Sequence, residues 1–107
     1  MKQIVLALDT SQGTSVALIV DGKLASEVTD SNPMRHAENI GTLIASCVEQ
    51  AGIKPSEVTD VAVGIGPGPF TGLRVGIAAA KLFAAGSKAT LHGIGSLDAI
   101  AFELDLA

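Results

Sequence analysis

Residues 4–8, Ile4 to Leu8, form an unbroken apolar run that stops at Asp9-Thr10-Ser11-Gln12-Gly13. A run without polar alternation predicts a strand buried on both faces, ending in a polar turn. Residues 14–20 form a second apolar and β-branched run, and Asp21-Gly22 then supplies a two-residue hairpin signal. Residues 23–29 alternate more loosely and predict a third, antiparallel strand towards a sheet edge. After the loop Asp30-Ser31-Asn32-Pro33 the period becomes helical. Ala37, Ile40, Leu43, Ile44, Cys47, Val48 and Ala51 share one face of a helix over 35–51, and Gly52 stops it. A turn at 56–60 leads into a fourth strand, 61–65. The Gly-rich turn from Gly66 to Gly72 follows, then a helix from about Thr71 to Ala85 closed by Gly86-Ser87-Lys88. Residues 91–94 read as a fifth strand, and Ser96 caps a last helix from Leu97 to about Leu106.

The element order βββαβαβα predicts an α/β fold: a five-stranded mixed sheet with three helices. That arrangement is half of the actin-like, or ribonuclease-H-like, fold. The 107 residues suffice for one domain, 1–107, and contain no repeat or linker. With 48% hydrophobic and 17% charged residues the composition excludes disorder. Net charge is −4, and the seven Lys and Arg are scattered, so a nucleic-acid surface is not evident; contact with RNA would require another protein. Cys47 is the single cysteine and fits a reducing compartment. With no leader-like or membrane-spanning run in these residues, the expected location is cytoplasmic.

Two loops carry candidate chemistry. The turn Gly66-Pro67-Gly68-Pro69-Phe70-Thr71-Gly72 joins a strand to a helix, where backbone amides can hold an anion. It lacks the Lys-Ser or Lys-Thr of a P-loop and the spacing of the dinucleotide fingerprint, and its prolines remove two amide donors. It is either a shaped turn or the remnant of a phosphate site formed by Asp9, Thr10, Ser11, Gly66 and Gly68. The aspartate at a strand end is also a common turn former. No metal is expected: His36 is followed four residues later by Ile40, not by a second histidine. His92 reads as a packed, hydrogen-bonded histidine and Cys47 as core. The helix over 71–85 is apolar nearly all round, with Gly72, Gly76 and Ala80 four apart. Such a helix is buried on both sides. The expected partner surface therefore comprises Ile40, Gly41, Ile44, Ala45 and Val48 of the first helix. From the second it takes Gly72, Leu73, Gly76, Ala80 and Phe83. A Gly76→Leu exchange is expected to block that seam while the domain stays folded.

The segment Gly66-Pro67-Gly68-Pro69-Phe70-Thr71-Gly72-Leu73-Arg74-Val75-Gly76 resembles the signature of the TsaB (YeaZ) family, which carries Ser where Pro69 stands. Asp9-Thr10-Ser11 with Ser15-Val16-Ala17-Leu18 is similar to that family's first hairpin, Arg35-His36-Ala37-Glu38 to its first helix start, and Ile94-Gly95-Ser96-Leu97 to the opening of its third helix. The group is also termed glycoprotease-like, or peptidase M22. The resemblance implies an N-terminal actin-like subdomain of a longer protein. It also implies a non-catalytic partner in formation of threonylcarbamoyladenosine in tRNA, without a cofactor. The implied partners are the catalytic paralogue TsaD and the ATPase TsaE, with a homodimer in their absence, tRNA met only through the complex, and no membrane. An actin-like nucleotide-binding enzyme and a metallo-glycoprotease are the alternatives. Asp9 and the Gly-Pro-Gly turn form at most one wall of a nucleotide cleft. Calorimetric titration of this chain with ATP and magnesium is therefore expected to give weaker than micromolar affinity, which would require ~8 kcal/mol. A micromolar constant would favour the nucleotide-binding alternative.

Overall fold

The computed structural model describes residues 2–10, 13–30, 36–66 and 70–95, with side chains in the two helices described from 39 and from 73. The elements are β1 (Ile4–Asp9), β2 (Thr14–Val20), β3 (Lys23–Asp30), α1 (His36–Ala51), β4 (Asp60–Gly66), α2 (Phe70–Ser87) and β5 (Thr90–Gly95), with a single 3₁₀ turn at Pro55–Glu57 before β4. They build one mixed sheet in the order β3-β2-β1-β4-β5. β2 pairs antiparallel with β1 and β3, while β1–β4 and β4–β5 are parallel. The expected five strands and first two helices are present; the expected third helix, from Leu97, lies outside the described residues.

The continuous apolar run of β1 becomes intelligible from its place at the centre. Ile4, Leu6 and Leu8 face α1 and α2 and join Val16, Leu18, Val61 and Val63 in the larger core. Helix α1 adds Ile40, Ile44, Cys47 and Val48, and α2 adds Ala80 and Ala84. Val5 points the other way, into a smaller cluster with Ala62 and Ile94. β1 thus contributes buried apolar side chains to both sides of the sheet.

Local chemistry closes each connection. Asp21 and Gly22 both have positive φ, 50° and 82°, the backbone of a two-residue hairpin that matches the twist of its strands. The Asp21 carboxylate also accepts from the Gln3 amide at 2.9 Å, and the Asp21 amide donates to the Gln3 carbonyl at 2.8 Å. Gly52, at φ 71°, ends α1 as its sequence position predicts, with the Ile53 amide turning back to the Val48 carbonyl. Helix α2 runs further than predicted, to Ser87. Lys88 then takes the left-handed position (φ 60°), and the Ala89 amide reaches back to the Ala84 carbonyl at 3.0 Å.

The loose alternation of β3 has a physical cause. Leu18 pairs with Ser26 but Ile19 pairs with Leu24, so Ala25 is an extra residue in the ladder. The bulge leaves Leu24 exposed while Ser26 is turned inward. There the Ser26 hydroxyl donates to the Cys47 carbonyl at 2.7 Å and lies 3.1 Å from its sulfur, tying the edge strand to α1.

Thr59 fastens the parallel half to the rest. Its amide donates to the Ile4 carbonyl at 2.9 Å, and its hydroxyl accepts from the Ile4 amide at 2.9 Å. The Thr59 carbonyl accepts from Thr90 at the start of β5. Thr59→Val keeps the shape but leaves the Ile4 amide without its acceptor. The expected loss is about 1–2 kcal/mol of stability, seen as a lower urea midpoint at unchanged slope; an unchanged midpoint would show the link to be dispensable.

Candidate functional site: a strand-end corner and an outer helical groove

Two places are candidates for a functional site. The first is the carboxyl end of the central parallel strands. Asp9, the last residue of β1, is paired with Ser15 and stands beside β4. A Cβ built on Gly64 would lie 3.5–3.7 Å from the Asp9 carboxyl group, so the glycine leaves that carboxylate open space over the sheet. Gly66 ends β4 with φ 134°, backbone that favours glycine. A shallow depression of about 240 Å³ opens here on the sheet face away from α1 and α2. It is floored by Ala7, Ala17 and Ala62 and edged by Asp9, Ser15 and Glu27.

Of the five predicted phosphate-site residues, Asp9 stands beside Gly64 at this strand end, and Gly66 ends the same neighbouring strand two residues further on. Ser11 and Gly68 lie outside the described residues. Thr10 departs from expectation. It is 0% exposed, and its side chain turns away from the open corner and into α2. A Cβ built on Gly76 would fall on the Thr10 Oγ1 and lie 3.1 Å from its Cγ2.

That contact also corrects the expected partner seam. Gly76 and Ala80 face inward; Ala80 is 0% exposed and belongs to the main core. Ile40, Ile44 and Val48 likewise belong to the main core over the sheet, and Leu73 is buried within the chain, although edges of Ile44 and Val48 reach the outer side. Gly76→Leu would strike Thr10, so it tests the fold and not a seam. Gly72 lies outside the described side chains. Gly41 and Ala45 do face outward, and a Cβ at Gly41 would meet nothing within 4 Å.

The second place is the outer side of the two helices. Gly41, Ala45 and half-buried Phe83 line a largely apolar groove, floored by edges of Ile44 and Val48, closed by Ile53 and Pro55, and with exposed Glu49 as its one charged member. A neighbouring hollow continues past Pro55 and Phe83 to Leu82 and Gly86. Leu82 is 78% exposed, the most open large apolar side chain among the described residues. It was not among the expected interface residues. Its signal was the company it keeps: Arg74, Ala78, Lys81, Leu82 and Ala85 are all exposed and lie at helical spacing on one face, the face that carries both charges of α2.

The remaining titratable groups read as structure. His92 Nε2 lies 3.0 Å from an Asp60 carboxylate oxygen across β4 and β5, as a hydrogen-bonded histidine should. Among the described residues no three His, Cys, Asp or Glu side chains converge. No helix among them is long and apolar enough to cross a membrane.

A family profile described as TsaD, tRNA N6-adenosine threonylcarbamoyltransferase, matches residues 24–107. The chain belongs to this family. An uncharacterized protein of Mycobacterium leprae is 41% identical over 103 residues, covering 91% of this chain and 28% of that protein. The Haemophilus influenzae protein named as tRNA threonylcarbamoyladenosine biosynthesis protein TsaB is 36% identical over 106 residues, 95% of this chain and 44% of its own length. Among solved structures, YeaZ from Pseudomonas aeruginosa superposes with a TM-score of 0.79 at 30% identity, covering 87% of this chain and 43% of that one. Within the family the resemblance is to the TsaB (YeaZ) branch. The chain spans less than half the length of these relatives.

Burial pushes the Cys47 thiol above the ordinary cysteine range, against a smaller opposing effect from the Ser26 hydrogen bond. The sulfur is therefore neutral at pH 8 and enclosed. Because the unfolded chain ionises its cysteine more readily, stability gains nothing from this group below the ordinary value and falls as pH rises through it. At pH 8 a thiol reagent is expected to label the folded chain about 100-fold more slowly than the chain in denaturant. Equal rates would mean that α1 opens readily.

Proposed function

We propose that this chain is a non-catalytic, partner-binding component in the formation of threonylcarbamoyladenosine in tRNA. In this reading it docks on the transferase subunit, TsaD, through the outer groove between α1 and α2. The observation that carries the reading is that groove: an apolar hollow flanked by Gly41 and Ala45, with Leu82 standing open beside it, in a chain whose relatives include proteins named for this biosynthesis. Small residues let a second helix pair approach closely, and exposed apolar side chains mark protein contacts. A homodimer would use the same groove in the transferase's absence. The ATPase TsaE would join the assembly, and tRNA would be met only through it.

The absence of a catalytic role rests on donor chemistry. The metal pair of the transferase, by resemblance, needs a second histidine where this chain has Ile40, and Ile40 belongs to the core below α1. Those residues do not fit a metal, so no step is assigned to one. The strand-end corner keeps a carboxylate, Asp9, but its neighbour Thr10 is turned inward.

Leu82→Glu and Ala45→Arg place charges on the groove and its border without touching the core. Each is expected to weaken binding of the chain to a TsaD subunit at least about tenfold by calorimetry, equivalent to ~1.4 kcal/mol, with the thermal midpoint of the chain unchanged. Wild-type affinity in both variants would move the interface elsewhere.

A further inference from the structure

Thr10 follows the last ladder pairs of β1, Asp9 with Ser15 and Leu8 with Val63. The ladder ends before it, and the alternation of Leu6 and Leu8 points its side chain to the helix side. Thr10 is completely enclosed, and its hydroxyl and methyl occupy the space that a side chain on Gly76 would need. The residue before it, Asp9, puts its carboxyl group on the other side of the sheet, over Gly64. Consecutive side chains thus leave β1 in opposite directions, one into α2 and one over β4.

The two glycines are not equivalent. A Cβ at Gly64 would make ordinary contact with the Asp9 carboxyl group. A Cβ at Gly76 would overlap the Thr10 hydroxyl and lie 3.1 Å from its Cγ2 methyl and 3.3 Å from its Cβ, the atom that joins the side chain to the backbone of the corner. Rotation of the Thr10 side chain would still leave its Cβ in a tight contact, so relief also needs a small shift of the Thr10 backbone, to which Asp9 is bonded.

We infer that Gly76 is a positioning residue for the strand-end corner: its missing side chain is the seat for Thr10, and through Thr10 it sets where the Asp9 carboxylate stands. Gly76 is thereby assigned to the corner and not to a partner seam. The inference stands whether or not the outer groove binds TsaD. It also gives a sequence-level reason for glycine in mid-helix, where alanine would otherwise favour the helix by roughly 1 kcal/mol through propensity alone.

The test uses the 107-residue chain, isotope-labelled, and the variants Gly76→Ala, Thr10→Ala, their combination, and Gly64→Ala. Gly76→Ala is expected to displace the amide signals of Asp9, Thr10 and Gly64. Those of Ser26 and Val28, across the sheet, should stay in place. Its thermal midpoint should fall by about 5 °C or more despite the gain in helix propensity. In the Thr10→Ala background the same exchange should cost nothing further and leave the Asp9 signal where Thr10→Ala alone puts it. Gly64→Ala should keep the wild-type midpoint. Unmoved Asp9 and Gly64 signals in Gly76→Ala overturn the inference, as do losses that simply add in the double variant. If Gly76→Ala fails to fold, the double variant decides: a folded double supports the seat, and an unfolded one refutes it.

Discussion

The pairing of β1 on both edges and its burial on both faces are the conditions on which this fold rests. Its antiparallel neighbour β2 and its parallel neighbour β4 meet only through it. Leu6 and Val5 sit back to back in two separate clusters. A polar residue at Val5, Leu6 or Leu8 would place an unsatisfied group in one core or the other. The first carboxylate, Asp9, accordingly stands at the strand's end, where the covering elements run out. The site-like corner is thus a by-product of the same constraint: polar chemistry is admitted where the central strand leaves the cores.

Much of this was legible in the sequence, and the reasons differ by element. Helix α1 follows from periodicity because it has a distinct buried side, whereas β1 and α2 were recognisable as elements from their unbroken apolar runs and the turn residues that bound them. The Asp21-Gly22 hairpin and the Gly52 stop were readable because few residues accept positive φ. The bulge at Ala25 was not readable; it is set by the demand that Ser26 reach Cys47, a contact 21 residues away. The role of Thr59 was hidden for the same reason, since its partner Ile4 is 55 residues distant.

The faces of α2 were the hardest to assign. Its residues are apolar almost throughout, so hydrophobicity gives no contrast between inside and outside. Size gives the wrong one: small residues resemble a seam for a partner, yet Gly76 and Ala80 are small because Thr10 and the sheet press on them from within the chain. Charge was the better guide, because Arg74 and Lys81 mark the side that also bears Leu82. The surface proposed for docking therefore lies outward of the expected stripe, in a groove between the helices.

The parallel pairing of β1 with β4 also has a temporal side. The β1-β2-β3 meander closes through short turns, so its contacts are local and cheap in chain entropy. The bond between Ile4 and Thr59 must instead close a loop that includes two strands and a whole helix. The meander and α1, already linked by Ser26 and Cys47, offer a template onto which β4 and α2 add. In a chain emerging from the ribosome, the central strand would then wait with one edge open until β4 has emerged, and the carboxylate at its end would meet Gly64 only then.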